Sequence, residues 1–226
     1  MSDARPRKKR TSRSDGDLTR RTILETAGEM FSSAGLAETT NKDIAARAEV
    51  DIASINYHFV NRAGLYQAVL TEAHRRIADR SDLERIVGSD LSAQGKLKEL
   101  LRFLLGGTAR ELQWPLILLG REILAPTTHF AILQQEEILP KLQLVLPLLS
   151  EISGIPADDP VLLRCLPSIA APCALIALVG RGDSPLAEEL NSAPRDALVE
   201  QLYCYTVGGL EAVSRWHRGK DTPRGE

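Results

Sequence analysis

The chain has 226 residues, 43% hydrophobic and 26% charged, an ordinary balance for a soluble globular protein of one or two compact domains. Its net charge of −2 is unevenly spread: residues 1–80 carry +3 and residues 81–226 carry −5, which suits a nucleic-acid contact at one end only. A polar, basic start with no apolar run behind it does not resemble a secretory signal, and an odd count of three cysteines without a CxxC pair reads as reduced, mostly buried thiols in a cytoplasmic protein.

Residues 1–17 lack apolar periodicity and read as a disordered basic arm. Its Arg7-Lys8-Lys9-Arg10 run is either a contact to DNA phosphates or a solvated tail. From Leu18 the pattern turns helical. Ile23, Ala27, Met30, Phe31 and Ala34 form one apolar stripe, stopped by Gly35 where a left-handed cap is favoured. Thr40 is a candidate N-cap with Asp43 three residues on, starting a short helix that turns Ile44, Ala45 and Ala48 inward. Glu49 and Val50 make a turn. Asp51 then caps a second short helix, Ile52 to Phe59, with Ile55 and Phe59 facing the core. Asn61 can cap a longer helix bearing Leu65, Val69 and Ala73.

Two short helices with a tight turn over residues 40–59 have the spacing of a helix-turn-helix, whose second helix enters the major groove; a generic helical hairpin has the same pattern. The remainder reads as helices near 92–111, 114–125, 129–152, 158–180 and 195–217, broken at Pro115, Pro126, Pro156 and Pro160 and by a polar loop at 181–194. The expected fold is therefore all-α. The apolar run Leu166–Gly180 has 15 residues, short for a bilayer span, and reads as a buried helix. No internal repeat is evident.

The order and spacing of Phe31, Gly35, Thr39-Thr40, Ile44-Ala45, Ala48, Asn56-Tyr57-His58-Phe59, Leu65-Tyr66 and Val69-Leu70 closely resemble the DNA-binding domain of the TetR family of repressors. Arg121 to Pro126 is similar to an RELLAP-like helix in one subgroup. The resemblance implies a three-helix DNA-binding domain over 18–63 and a helical effector-binding and dimerisation domain over 64–226. It also implies roles residue by residue. Thr40 binds phosphate, a role its amide suits at a helix N-terminus, and Lys42 joins the same DNA-binding set. Ile52, Ala53, Ser54 and Asn56 face bases, Tyr57 and His58 reach bases or the sugar-phosphate edge, and Arg62 takes the place of a phosphate-binding lysine.

Three residues depart from the family pattern. Glu49 stands for a turn glycine, at a cost of about 1 kcal/mol if its backbone is left-handed. Asp51 replaces serine, and Asn56 replaces tyrosine. The recognition helix has no Arg or Lys, which disfavours guanine readout. The expected contacts are Ile52 or Ala53 on thymine methyls and Ser54 or Asn56 on a base edge; Asn56 as a packing residue is the alternative.

TetR-like proteins pair through their last two helices, and Leu166–Val179 with Leu198, Leu202, Tyr205, Val207 and Leu210 are apolar enough to need cover on more than one side. The expected assembly is a homodimer on palindromic double-stranded operator DNA, away from any membrane. A pocket lined by Phe103, Trp114, Leu118, Arg121, Glu122, His129, Phe130 and Cys173 would take a small, largely apolar effector with one polar handle. An ordinary core with an Arg121–Glu122 ion pair is the alternative. Release from DNA would then be a population shift. No catalytic, metal or cofactor motif is present, so the chain reads as a regulator and not an enzyme. A regulator without a ligand, controlled by a protein partner or by abundance, is the competing account.

Overall fold

The computed structural model describes residues 11–106 and 112–221. Among them the regular structure is entirely helical. In chain order it comprises α1 (Thr11–Ala34), α2 (Asn41–Arg47), α3 (Ile52–Phe59), α4 (Arg62–Ile77), α5 (Arg80–Val87) and α6 (Ala93–Leu104). There follow α7 (Gln113–Leu124), α8 (Thr128–Leu133), a π-helical turn (Gln134–Ile138), α9 (Leu139–Ser153), α10 (Pro160–Val179), α11 (Pro185–Ser192) and α12 (Arg195–Asp221).

Local chemistry places most of the helix starts. Asp51, Asn61, Asp79 and Ser92 each accept a backbone N–H one turn in, from Ala53, Gly64, Ser81 and Gly95. Asp159 and Ser184 do the same ahead of Pro160 and Pro185, a first-turn position where the missing N–H costs nothing. Gly35 ends α1 at φ +87°, as a left-handed stop requires.

Two cores form. The first joins Ile23, Ala27 and Phe31 of α1 to Ile44, Ile55 and Phe59, to Leu65, Tyr66, Val69 and Leu70 of α4, and to Trp114, Leu118 and Leu119 of α7. The second gathers α5, α6, α9, α10 and α12 around Leu97, Leu101, Leu149, Ile155, Leu162 and Leu210. The boundary expected at 63/64 therefore cuts through α4, whose buried face belongs to the first core, and α7 joins that core from far along the chain.

Other expectations need correction. Thr11 to Asp17 are helical, against the disorder expected through residue 17, and Arg7 to Arg10 lie outside the described residues. The helix expected over 129–152 is a single path from Thr128 to Ser153 carrying a π-helical turn. The helix α5, between 80 and 87, was not expected. The burial expected of α10 is met on one side only. Leu162, Leu166, Ile169 and Cys173 are buried, while Leu163, Leu175 and Leu178 are exposed. By length and composition this 20-residue helix could cross a bilayer, but it lies packed along α6, α9, α11 and α12.

Candidate nucleic-acid interface

Burial of one face decides what α3 offers on the other. Ile55 and Phe59, four residues apart, are sunk in the first core and fix the helix's rotation. Ile52, Ala53, Asn56 and Tyr57 are then carried outward, with Ser54 and His58 half-buried at the edges. Tyr57 is 84% exposed and Ile52 46%, and the Tyr57 ring meets that of His58 edge-on at 5.0 Å. A tyrosine normally buries most of its ring, and this one leaves nearly all of it in solvent. All six residues predicted on the recognition helix thus lie on its outer face or edges.

The supporting helix α2 holds α3 from behind through Ile44 and Ala45. Thr40 caps it as expected: its hydroxyl accepts from the Asp43 amide at 3.2 Å and donates to the Asp43 carboxylate at 2.6 Å. That hydroxyl is therefore already engaged. Lys42 is exposed beside it. Glu49 has φ +54°, the left-handed turn that the family pattern gives to glycine. Val60, closing α3, has φ +65° and is 81% exposed. No sequence signal announces a positive φ at a β-branched residue.

Arg62, expected to meet a phosphate, is instead turned under the α1–α2 turn, donating to the carbonyls of Leu36 and Ala37. Arg47 pairs with Glu29 at 3.0 Å. Arg20, which sequence reasoning passed over, lies exposed on α1 with its guanidinium 5.3 Å from the Phe59 ring centre, beside the end of the recognition helix.

The eight residues expected to line an effector pocket divide between the two cores. Phe103 and Cys173 belong to the second core; burial pushes the Cys173 thiol up to about 11, which leaves it an unreactive core residue. The other six surround the first core, where an apolar stripe that reads as a pocket wall is spent on packing. Trp114 and Leu118 are buried against α1 and α4, and the Trp114 indole donates to Glu25 at 3.0 Å beneath the Arg76 guanidinium.

The Arg121–Glu122 ion pair considered as the alternative does not form either, because neighbours on a helix point about 100° apart. Arg121 turns to the carbonyls ending α1, Ser32 at 3.5 Å and Ser33 at 3.4 Å. Glu122, 1% exposed, accepts from the Tyr66 hydroxyl at 2.5 Å and the Thr127 amide at 2.9 Å. Burial and this carboxylate raise the Tyr66 phenol above its ordinary range. His129 meets Gln67 at 3.1 Å, and Phe130 packs against the same core. An apolar recess lies elsewhere: a groove of about 320 Å³ between α10 and α12, edged by Arg164, Cys165, Ser168, Tyr205 and Gly209.

With this geometry in hand, comparison with known proteins is informative. The model of the family described as bacterial regulatory proteins, tetR family, matches residues 23–69, the span holding α2, α3 and their anchors. Two regulators from Pseudomonas putida are similar over 95 residues: a probable HTH-type transcriptional regulator, ArpR, at 36% identity, and the HTH-type transcriptional regulator TtgR at 35%. Each match covers 41% of this chain and 43% of the relative, so the likeness spans less than half of either protein. Beyond that span the likeness is one of fold. A tetR family transcription regulator from Shewanella sp. PV-4 superposes with a TM-score of 0.60 at 18% identity, over 82% of this chain and 95% of that one.

Proposed function

Because the chain belongs to the TetR family of transcriptional regulators, we propose that it acts in the cytoplasm as a dimeric repressor that reads a palindromic operator with α3. The observation that carries this reading is the outward face of α3, with Tyr57 at 84% exposure on a helix otherwise anchored by Ile55 and Phe59. Ile52 and Ala53 supply apolar contacts for thymine methyls, and Ser54 or Asn56 the hydrogen bonds to a base edge. Thr40, Lys42, Tyr57, His58 and Arg20 would meet the backbone in this reading; Arg62 would have to leave Leu36 and Ala37 to join them.

The dimer is supported by the face that one chain leaves uncovered. Leu163, Leu175 and Leu178 of α10 are exposed, as is Tyr205 of α12, which edges the groove between these helices. A Cβ added at Gly208 or Gly209 would meet nothing within 4 Å. Two interior glycines cost α12 about 1 kcal/mol each relative to alanine, and no contact among the described residues requires them. A second copy of α12 crossing closely would. Pairing α10 and α12 across a two-fold axis forms a four-helix bundle and lets two copies of α3 reach successive major grooves about 34–36 Å apart.

Release by a small, largely apolar ligand belongs to the same proposal. Its best support is the buried polar junction of α4, α7 and α8, where Gln67 Nε2 has no partner. The division of the eight expected lining residues between two cores favours a second reading, regulation by a protein partner or by abundance. Screening small molecules separates them: a ligand raises the melting temperature and frees the operator. Selection from a random duplex pool tests the main reading. It should enrich a palindrome, with the protein dimeric by mass, and Tyr57→Ala should lose most of the affinity at unchanged helix content. An unenriched pool, or full affinity in Tyr57→Ala, refutes it.

A further inference from the structure

We propose that α7 is locked to α1 in a single register, and that Arg121 and Glu122 are positioning residues through which α7 sets the attitude of the DNA-reading helices. The proposal rests on the DNA-binding reading above. Gly28 of α1 makes the rigid part of the lock, against the Trp114 ring, and Gly35, just past the end of α1, receives the tip of Arg121. A Cβ at Gly28 would stand 2.6 Å from the Trp114 ring, and one at Gly35 would stand 2.8 Å from Nη2 of Arg121. Gly28 and Gly35 are seven residues apart, and so are Trp114 and Arg121. The helices therefore run parallel, with two large side chains of α7 seated in two notches at matched spacing. Sliding α7 by one residue would take both out of their notches.

At the second notch Arg121 bonds the Ser32 and Ser33 carbonyls, placing a cation at the negative end of α1. Beyond Ala34 and Gly35, the carbonyls of Leu36 and Ala37 are held by Arg62, the first residue of α4 after the recognition helix. The α1–α2 turn is thus gripped from α7 on one side and from the end of the reading helices on the other. Glu122 faces the opposite way. It ties Tyr66 of α4 to the Thr127 amide and hydroxyl, at the bend where α7 meets the path from α8 into α9 at 109°. Since α9 belongs to the second core, this carboxylate fixes the angle between the DNA-reading part and the proposed dimer body.

The test uses the full-length protein carrying an encoded nitroxide in place of exposed Ala46 on α2, with inter-label distances measured in the dimer. Wild type should give one narrow distance and prefer one half-site spacing among operators lengthened by one or two base pairs. Arg121→Met and Glu122→Gln should each broaden the distance distribution, erase the spacing preference and weaken operator binding about tenfold; Arg121→Lys should recover part of each. If Arg121→Met lowers only the melting temperature, leaving distances and spacing preference as in wild type, the role is overturned. A wild type with no defined distance overturns it as well. Tyr57→Ala should lose the operator with distances unchanged. If instead it binds as wild type does, the reading of α3 fails while the distance data still decide the joint.

Discussion

Replacing Gly28 by alanine opposes two effects whose balance the structure decides. A glycine-to-alanine change inside a helix normally stabilises by about 1 kcal/mol. Here the new methyl would lie 2.6–2.7 Å from three atoms of the Trp114 ring, nearly an ångström inside ordinary contact. The ring cannot swing away: it is 4% exposed, its N–H is held by Glu25 at 3.0 Å, and Arg76 lies 4.9 Å from its centre, itself paired with Glu25 and Glu72. Overpacking at a pinned site costs up to about 3 kcal/mol. The net expectation is destabilisation by about 2 kcal/mol, or a fall in Tm of roughly 4–8 °C for a chain of this size. Urea unfolding followed by circular dichroism, at fixed protein concentration, measures it as a lower midpoint at unchanged slope. Gly16→Ala in the same helix is the control, because its Cβ would meet nothing within 4 Å and should stabilise. Adding Trp114→Leu to Gly28→Ala should recover part of the loss. A Gly28→Ala protein more stable than wild type would refute the notch.

Two further outcomes follow from backbone and protonation. Glu49→Gly relieves a non-glycine residue at φ +54° and should raise unfolding free energy by about 1 kcal/mol; a loss of stability would show that the Glu49 side chain contributes more than its backbone costs. His74 is held down to about 4, first by burial and then by the Lys141 ammonium, against a smaller upward pull from Glu137. Its folded value lies below the unfolded one, so the unfolded chain binds the extra proton. Stability should be full above about pH 6.5 and fall as pH drops towards 4, by up to roughly 3 kcal/mol. His74→Asn should flatten that limb of the pH profile, and a profile identical to wild type would count against the assignment.

What the sequence disclosed was local chemistry. Thr40, Asp51 and Asn61 announce their caps, Gly35 its left-handed stop, and the periodicity around Ile55 and Phe59 tells which side of α3 is inside. All of these need only a few neighbouring residues; the left-handed turn at Glu49 is suggested only by the family resemblance. The helix α5 escaped because eight residues with Leu83 and Ile86 alone buried make too short a stripe. Partner choice escaped for a different reason. The apolar run of α7 looks the same whether it walls a cavity or seats against α1, and only the Gly28–Trp114 and Gly35–Arg121 pairings, more than eighty residues apart, distinguish the two. The polar pair at 121 and 122 misled for the same reason, as each side chain serves a different helix.

A recognition helix without a single lysine or arginine has a consequence for life among a whole chromosome of competing sequence. Attraction to phosphates is indifferent to base order and supplies most of the pull towards wrong addresses. If α3 reads methyl groups and amide edges as proposed, its side chains add nothing to that pull, which is left to cations outside it such as Arg20 and Lys42. Discrimination between the true target and bulk DNA would then rest on how well the two half-sites fit α3.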